Sequence, residues 1–170
     1  LGKLLSALQT AVGLEPPARG LTLEEQAIWR FVFHDALDLE PLRIKSGHCG
    51  LASLTHRPFV HGEVLYLKRW PLEPAILVHE AVHWWQSQHG GPDYMLDSLW
   101  SQAFGRGYAW RPSVPGVAWR DLETEQQAAL VEAMFRAGYF ETGRFVEGGA
   151  DLTLVARAAL SELRAGRGAP

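Results

Sequence analysis

The segment from Pro74 to Gly90 constrains this chain more than any other. Ala75-Ile76-Leu77-Val78 leads into His79-Glu80-Ala81-Val82-His83, and Trp84-Trp85 follows. Pro71 and Pro74 set up a helix start and Gly90-Gly91-Pro92 stops it, so the segment reads as a helix from Ala75 to about His89. So apolar a helix belongs inside a fold. Burying two imidazoles and a carboxylate with it needs a compensating partner.

Helix geometry says what that partner can be. Residues i and i+4 lie one above the other on a single face. His79 and His83 so placed can bind one Zn²⁺ at about 2.0–2.1 Å. Glu80 lies about 100° round the helix from His79 and is badly placed as a third ligand. It can instead reach a water on the open side of a metal and take its proton. The plainer account is two core histidines and a surface glutamate. A chance H-E-x-x-H on a helix of this kind is rare, which favours the metal.

A catalytic site of this type needs a third protein ligand. His89 stands ten residues after His79, the spacing of H-E-x-x-H-x-x-G-x-x-H. Gln86 occupies the place of the turn-forming glycine, however, so the helix should run on and carry His89 away to another side. There it would be a helix C-terminal histidine beside Gly90, favoured by the helix dipole. A later carboxylate is the other route. In Asp121-Leu122-Glu123-Thr124-Glu125-Gln126-Gln127-Ala128-Ala129, Glu125 precedes two alanines at i+3 and i+4, a face able to approach another helix closely. Glu123 is its rival, since Thr124-x-x-Gln127 can be a capping box with Glu125 merely a first-turn acid. The residues leave this choice open. Gln86, at i+7 from His79, falls on the histidine face and is a candidate to support a ligand from behind.

The rest of the chain sets the scaffold. Residues 1–14 have helical spacing, ended by Glu15-Pro16-Pro17. Thr22-x-x-Glu25 is a capping-box pattern opening a helix to about Ala36. Leu42 to Lys45, Phe59-Val60 and Val64 to Leu67 read as short strands. Further helices are expected over 93–104, 121–137 and from Asp151 to about Leu163, with a long loop over 105–120. The pattern is α+β, a helix-rich single domain with a core over about 20–140 and appended terminal helices. With 170 residues and 47% hydrophobic content, one core is well supplied. A net charge of −3 with no basic block recommends neither nucleic acid nor a membrane surface as partner, and no apolar run reaches a membrane span. The single cysteine, Cys49, excludes an internal disulfide and reads as a small loop residue. No signal peptide is visible, and the compartment stays open.

Other residues have two readings each. The strand Val64 to Leu67, with Tyr66, can offer an edge to an extended substrate, or be an ordinary core strand. Tyr108 and Tyr94 can steady an oxyanion or pack in the core. The tryptophans around the motif can line a groove, though core filling is the more frequent role. His48, His56 and His61 can form a second metal site, though nothing in their spacing demands one.

Leu77-Val78-His79-Glu80-x-x-His83-x-Trp85-Gln86-x-Gln88-x-Gly90, then Tyr94, Ser98-Leu99 and Gln102, then Glu125-Gln126-Gln127-Ala128, resembles a bacterial family of small zincin-like proteins. Val32 to Asp38 and Leu42-Arg43-Ile44 fit the same pattern, so the resemblance spans roughly residues 20–137. It departs at His34, where a glycine is common. Members of that family occur beside type VI secretion spike and Rhs-type proteins, and resemble short zincin domains of contractile injection systems. The resemblance implies a gluzincin-like site holding one Zn²⁺ on His79, His83 and Glu125, with Glu80 as base. It implies a peptide or protein substrate and a secretion-apparatus partner. A non-catalytic binding or assembly module, or a hydrolase of other acyl bonds, is the competing expectation.

Overall fold

The computed structural model describes residue 10 and residues 16–47, 59–61, 63–67, 72–90, 109–111, 116 and 118–170. Helix α1 (Leu23–Phe33) begins where expected: Thr22 is the N-cap, and Thr22 and Glu25 exchange both hydrogen bonds of a capping box. It ends at Phe33, three residues earlier than the sequence reading. His34 there has φ 53° and ψ −121°, a backbone conformation that ends a helix and that glycine enters at least cost. This is the position where the resemblance expects glycine.

Three short strands follow. β1 (Arg43–Ser46), β2 (Phe59–His61) and β3 (Val64–Leu67) form one sheet in the order β1-β3-β2. β3 runs parallel to β1, with Ile44 opposite Leu65, and antiparallel to β2, with Val60 opposite Leu65. β3 is thus the middle strand, both its edges are paired, and Tyr66 is buried. The expectation that this strand offers an edge to a substrate is corrected: its backbone groups are already spent on its neighbours.

Helix α2 (Pro74–His89) carries the motif, with Pro74 in its first turn and Gly90 as C-cap. Every residue from Leu77 to Gln86 is buried, so the helix is enclosed on all sides as its composition requires. Trp29 Nε1 of α1 donates to Leu77 O at 3.0 Å and ties the two helices together. A 3-10 turn (Trp119–Asp121) leads into α3 (Thr124–Arg136), which lies along α2. Ala128 is completely buried and Ala129 nearly so, and such small side chains permit that close approach.

A short helix α4 (Tyr139–Thr142) and a hairpin of β4 (Val146–Glu147) and β5 (Ala150–Asp151) were not expected from the sequence. Gly148 and Gly149, both with positive φ, form the hairpin's two-residue turn. Helix α5 (Thr153–Arg164) places Ala156, Ala159 and Leu163 in the common core. Arg164 Nε donates to Val32 O at 3.0 Å, joining α5 to the end of α1. This helix is therefore part of the core and not an appendage. The expected helix over 93–104, and the reading of residues 1–14 apart from Thr10, lie outside the described residues. Among the described residues no helix is long and apolar enough to cross a membrane.

Candidate metal centre

The first turn of α3 is polar in sequence yet wholly buried: Thr124, Glu125, Gln126 and Gln127 are all enclosed against α2. Glu123 is the N-cap, its backbone N–H donating to Gln126 Oε1 at 3.1 Å in a capping box. Helix start thus occupies Glu123 and turns Glu125 inward. The capping pair is Glu123 with Gln126, one residue before the expected Thr124 with Gln127.

Glu125 meets the two motif histidines. Its Oε2 is 3.4 Å from His79 Nε2, and its Oε1 is 3.5 Å from His83 Nε2. The two Nε2 atoms are 3.2 Å apart. These three residues form the one group of metal-ligating side chains found among the described residues, all of them buried. Four ligands at about 2.0–2.1 Å around a tetrahedral ion lie about 3.3 Å from one another. The two histidine nitrogens stand near that spacing from one another and each from one oxygen of Glu125. With one ligand atom per residue the three lie within 4.8 Å, and two imidazoles with one carboxylate are a donor set that suits a divalent metal. The residues fit such an ion.

Each of the two histidines is held from behind. His79 Nδ1 donates to Glu132 Oε2 at 3.0 Å. Glu132 in turn accepts from Arg136 at 3.0 Å, and Arg136 also pairs with Glu73, the N-cap of α2. Gln86 lies 2.9 Å from His83 Nδ1 through its Oε1. Partners of this kind fix the ring orientation of metal-binding histidines. Glu132 was not singled out in the sequence. The available signal was its i+7 spacing from Glu125, which puts both on one face of α3.

The charges are coupled. Burial alone would lower the pKa of His79, but its bonds to Glu125 and Glu132 outweigh that and raise it to about 9. Burial would raise Glu125, yet the two histidines hold its carboxyl well below the usual range. Glu132 is likewise lowered, against its burial, by His79 and then Arg136. Glu80 is the opposite case: burial dominates and its carboxyl is pushed up, with His83 and His79 only moderating the shift. Among the described residues Glu80 Oε2 has no hydrogen-bond partner.

His89 stays on α2, as the uninterrupted helix requires, and does not join the group. Its Nδ1 faces Trp85 O at 2.9 Å and its ring stacks on Trp85 at 5.1 Å. Trp84, Trp85, Trp110 and Trp119 are buried in the core, and Trp119 also lines a cavity with Arg120, Leu122 and residues of α5. Tyr108, Tyr94, Trp100, Cys49, His48 and His56 lie outside the described residues, as does the side chain of His61. No family model matches the chain, and neither a curated protein nor a solved structure matches it.

Proposed function

We propose that the chain is a zinc-dependent metallopeptidase of zincin-like architecture. His79, His83 and Glu125 would hold the ion. When bound, zinc supplies a Lewis acid that polarises a carbonyl and makes water a nucleophile near neutral pH. The observation that carries the reading is Glu80. It is 3% exposed, its Oε2 lacks a partner among the described residues, and it follows His79 directly and precedes His83 by three residues on the same helix. A buried carboxylate oxygen without a partner is costly, and a purely structural centre has no use for one. Its raised pKa moves it toward the range in which a carboxylate accepts a proton and passes it on at neutral pH. Glu132 and Gln86 would hold the two rings while Glu80 does this. The substrate class, a peptide bond rather than another acyl bond, follows the resemblance of the motif.

One observation favours a second reading. His79, His83 and Glu125 are at most 5% exposed, which suits a closed metal and a non-catalytic binding or assembly module of a secretion or injection system. One experiment separates the two. The zinc-loaded chain and its Glu80→Gln variant are incubated with fluorescein-labelled casein. The peptidase reading expects cleavage by the wild type and a loss of about 10²–10⁴-fold in the variant at unchanged zinc content. Zinc-loaded wild type that cleaves nothing, or a variant that cleaves equally well, removes the catalytic reading.

A further inference from the structure

A line of buried amide groups runs from residues 166–168 to the ring of His83. Gln127 Nε2 donates to Trp119 O at 2.9 Å and to Gly168 O at 2.7 Å. Gln127 Oε1 accepts from Gln86 Nε2 at 3.0 Å, and Gln86 Nε2 also donates to Thr124 O at 3.0 Å. Gln86 Oε1 then faces His83 Nδ1 at 2.9 Å. Both glutamine side chains are 0% exposed, so water cannot repair a mismatch along the line.

The polarity of this line is determined from its far end. A primary amide has one donor side and one acceptor side, whereas a backbone carbonyl only accepts. Trp119 O and Gly168 O therefore draw the NH₂ of Gln127 toward themselves and leave its oxygen facing Gln86. Gln86 must answer with its own NH₂, which Thr124 O also requires. Its oxygen is left for His83, and an oxygen there takes a hydrogen bond from Nδ1. The ring is thus held with its proton on Nδ1 and the lone pair of Nε2 directed to His79 and Glu125. Reversing either amide would set its oxygen against other carbonyl oxygens, acceptor against acceptor, in a dry interior.

We propose that Gln127 is a positioning residue for His83, and that the carbonyl of Gly168 helps set the tautomer in which His83 can ligate a metal. The segment is shaped for that contact. A Cβ on Gly168 would lie 2.7 Å from Trp119 Cδ1, and one on Gly166 would lie 2.7 Å from His89 Cδ2. Both glycines also have positive φ. Trp119 Nε1 donates to Arg167 O at 3.3 Å, pinning the segment between them. A side chain at 168 would lift the carbonyl away from Gln127. The inference rests on the reading that His83 offers Nε2 to a metal, but its first consequence, the tautomer, exists without one.

The test uses the full chain, with histidine-ring ¹⁵N NMR of the metal-free protein, then zinc affinity and the visible spectrum of the cobalt-loaded protein. The wild type is expected to show the Nδ1–H tautomer of His83 before any metal is added. Gln127→Met keeps length and apolar bulk but has no amide. It is expected to mix the two tautomers, shift the cobalt spectrum and weaken zinc binding about tenfold, the lower end of losses seen when a ligand's supporting partner is removed. Gly168→Ala, which leaves both glutamines in place, is expected to act in the same direction. An Nε2–H tautomer in the wild type overturns the proposal. So does a pair of variants that lose only thermal stability while tautomer, spectrum and affinity stay as they were. A wild type that binds no zinc defeats the functional reading alone, and the metal-free tautomer still decides the relay.

Discussion

Zinc binding here should compete with a proton. In the metal-free protein His79 is protonated up to about pH 9, because Glu125 and Glu132 stabilise its charged form more than burial opposes it. The ion needs the lone pair of Nε2, while Nδ1 keeps its proton for Glu132. At pH 7, two units below that pKa, removing the proton costs about 2.7 kcal/mol, or about a hundredfold in affinity. The logarithm of the zinc association constant should therefore rise by about one per pH unit from pH 6.5 and flatten near pH 9. Glu125 already carries its charge throughout this range and adds nothing to the slope. Chelator competition across pH measures the slope. Calorimetry at pH 7 in buffers of different ionisation enthalpy counts the proton released by the ring. Glu132→Gln removes one of the two stabilising carboxylates, so its flattening should move to lower pH, while its limiting affinity falls about 10–100-fold through loss of ring orientation. An affinity that is flat between pH 6.5 and 8.5, with no proton released, refutes the reasoning.

Three further outcomes are expected. Glu125→Ala should purify without zinc, while Glu123→Ala should keep it and lose only about 1 kcal/mol of stability with its N-cap, and His89→Ala should keep it too; elemental analysis and denaturant melts check all three. The metal-free chain should lose about 3 kcal/mol of stability as pH rises: His79's folded pKa is raised from 6.5 to about 9, so its contribution is complete below pH 6.5 and gone above about pH 9, which denaturant titrations across that range will follow. His34→Gly should stabilise the chain by about 1 kcal/mol, since glycine adopts a positive φ without steric cost, and no change in the urea midpoint would count against that account.

The sequence alone determined what a single helix can encode. Proline at the start, glycine at the end and continuous apolar content defined α2, and the i, i+4 spacing put His79 and His83 on one face. The same local reasoning located Thr22 as a cap, recognised the three short strands, and placed Gln86 behind the histidines. It also counted against His89 as a ligand, because an uninterrupted helix cannot bend its last residue back to its middle, and the structure then left His89 out of the group. What local spacing could not supply was the partner of each face. Glu123 and Glu125 differ by two positions, and only the point at which α3 starts decides which becomes the cap and which turns inward. Glu132 gains its role because α3 lies along α2, and Gln127 because residues 166–168 return to cover Trp119. The sheet order, which places β3 in the middle and closes both its edges, is equally invisible in strand sequences four residues long. These choices come from contacts between segments far apart in the chain, summed over the whole core, and no periodicity within a segment records them.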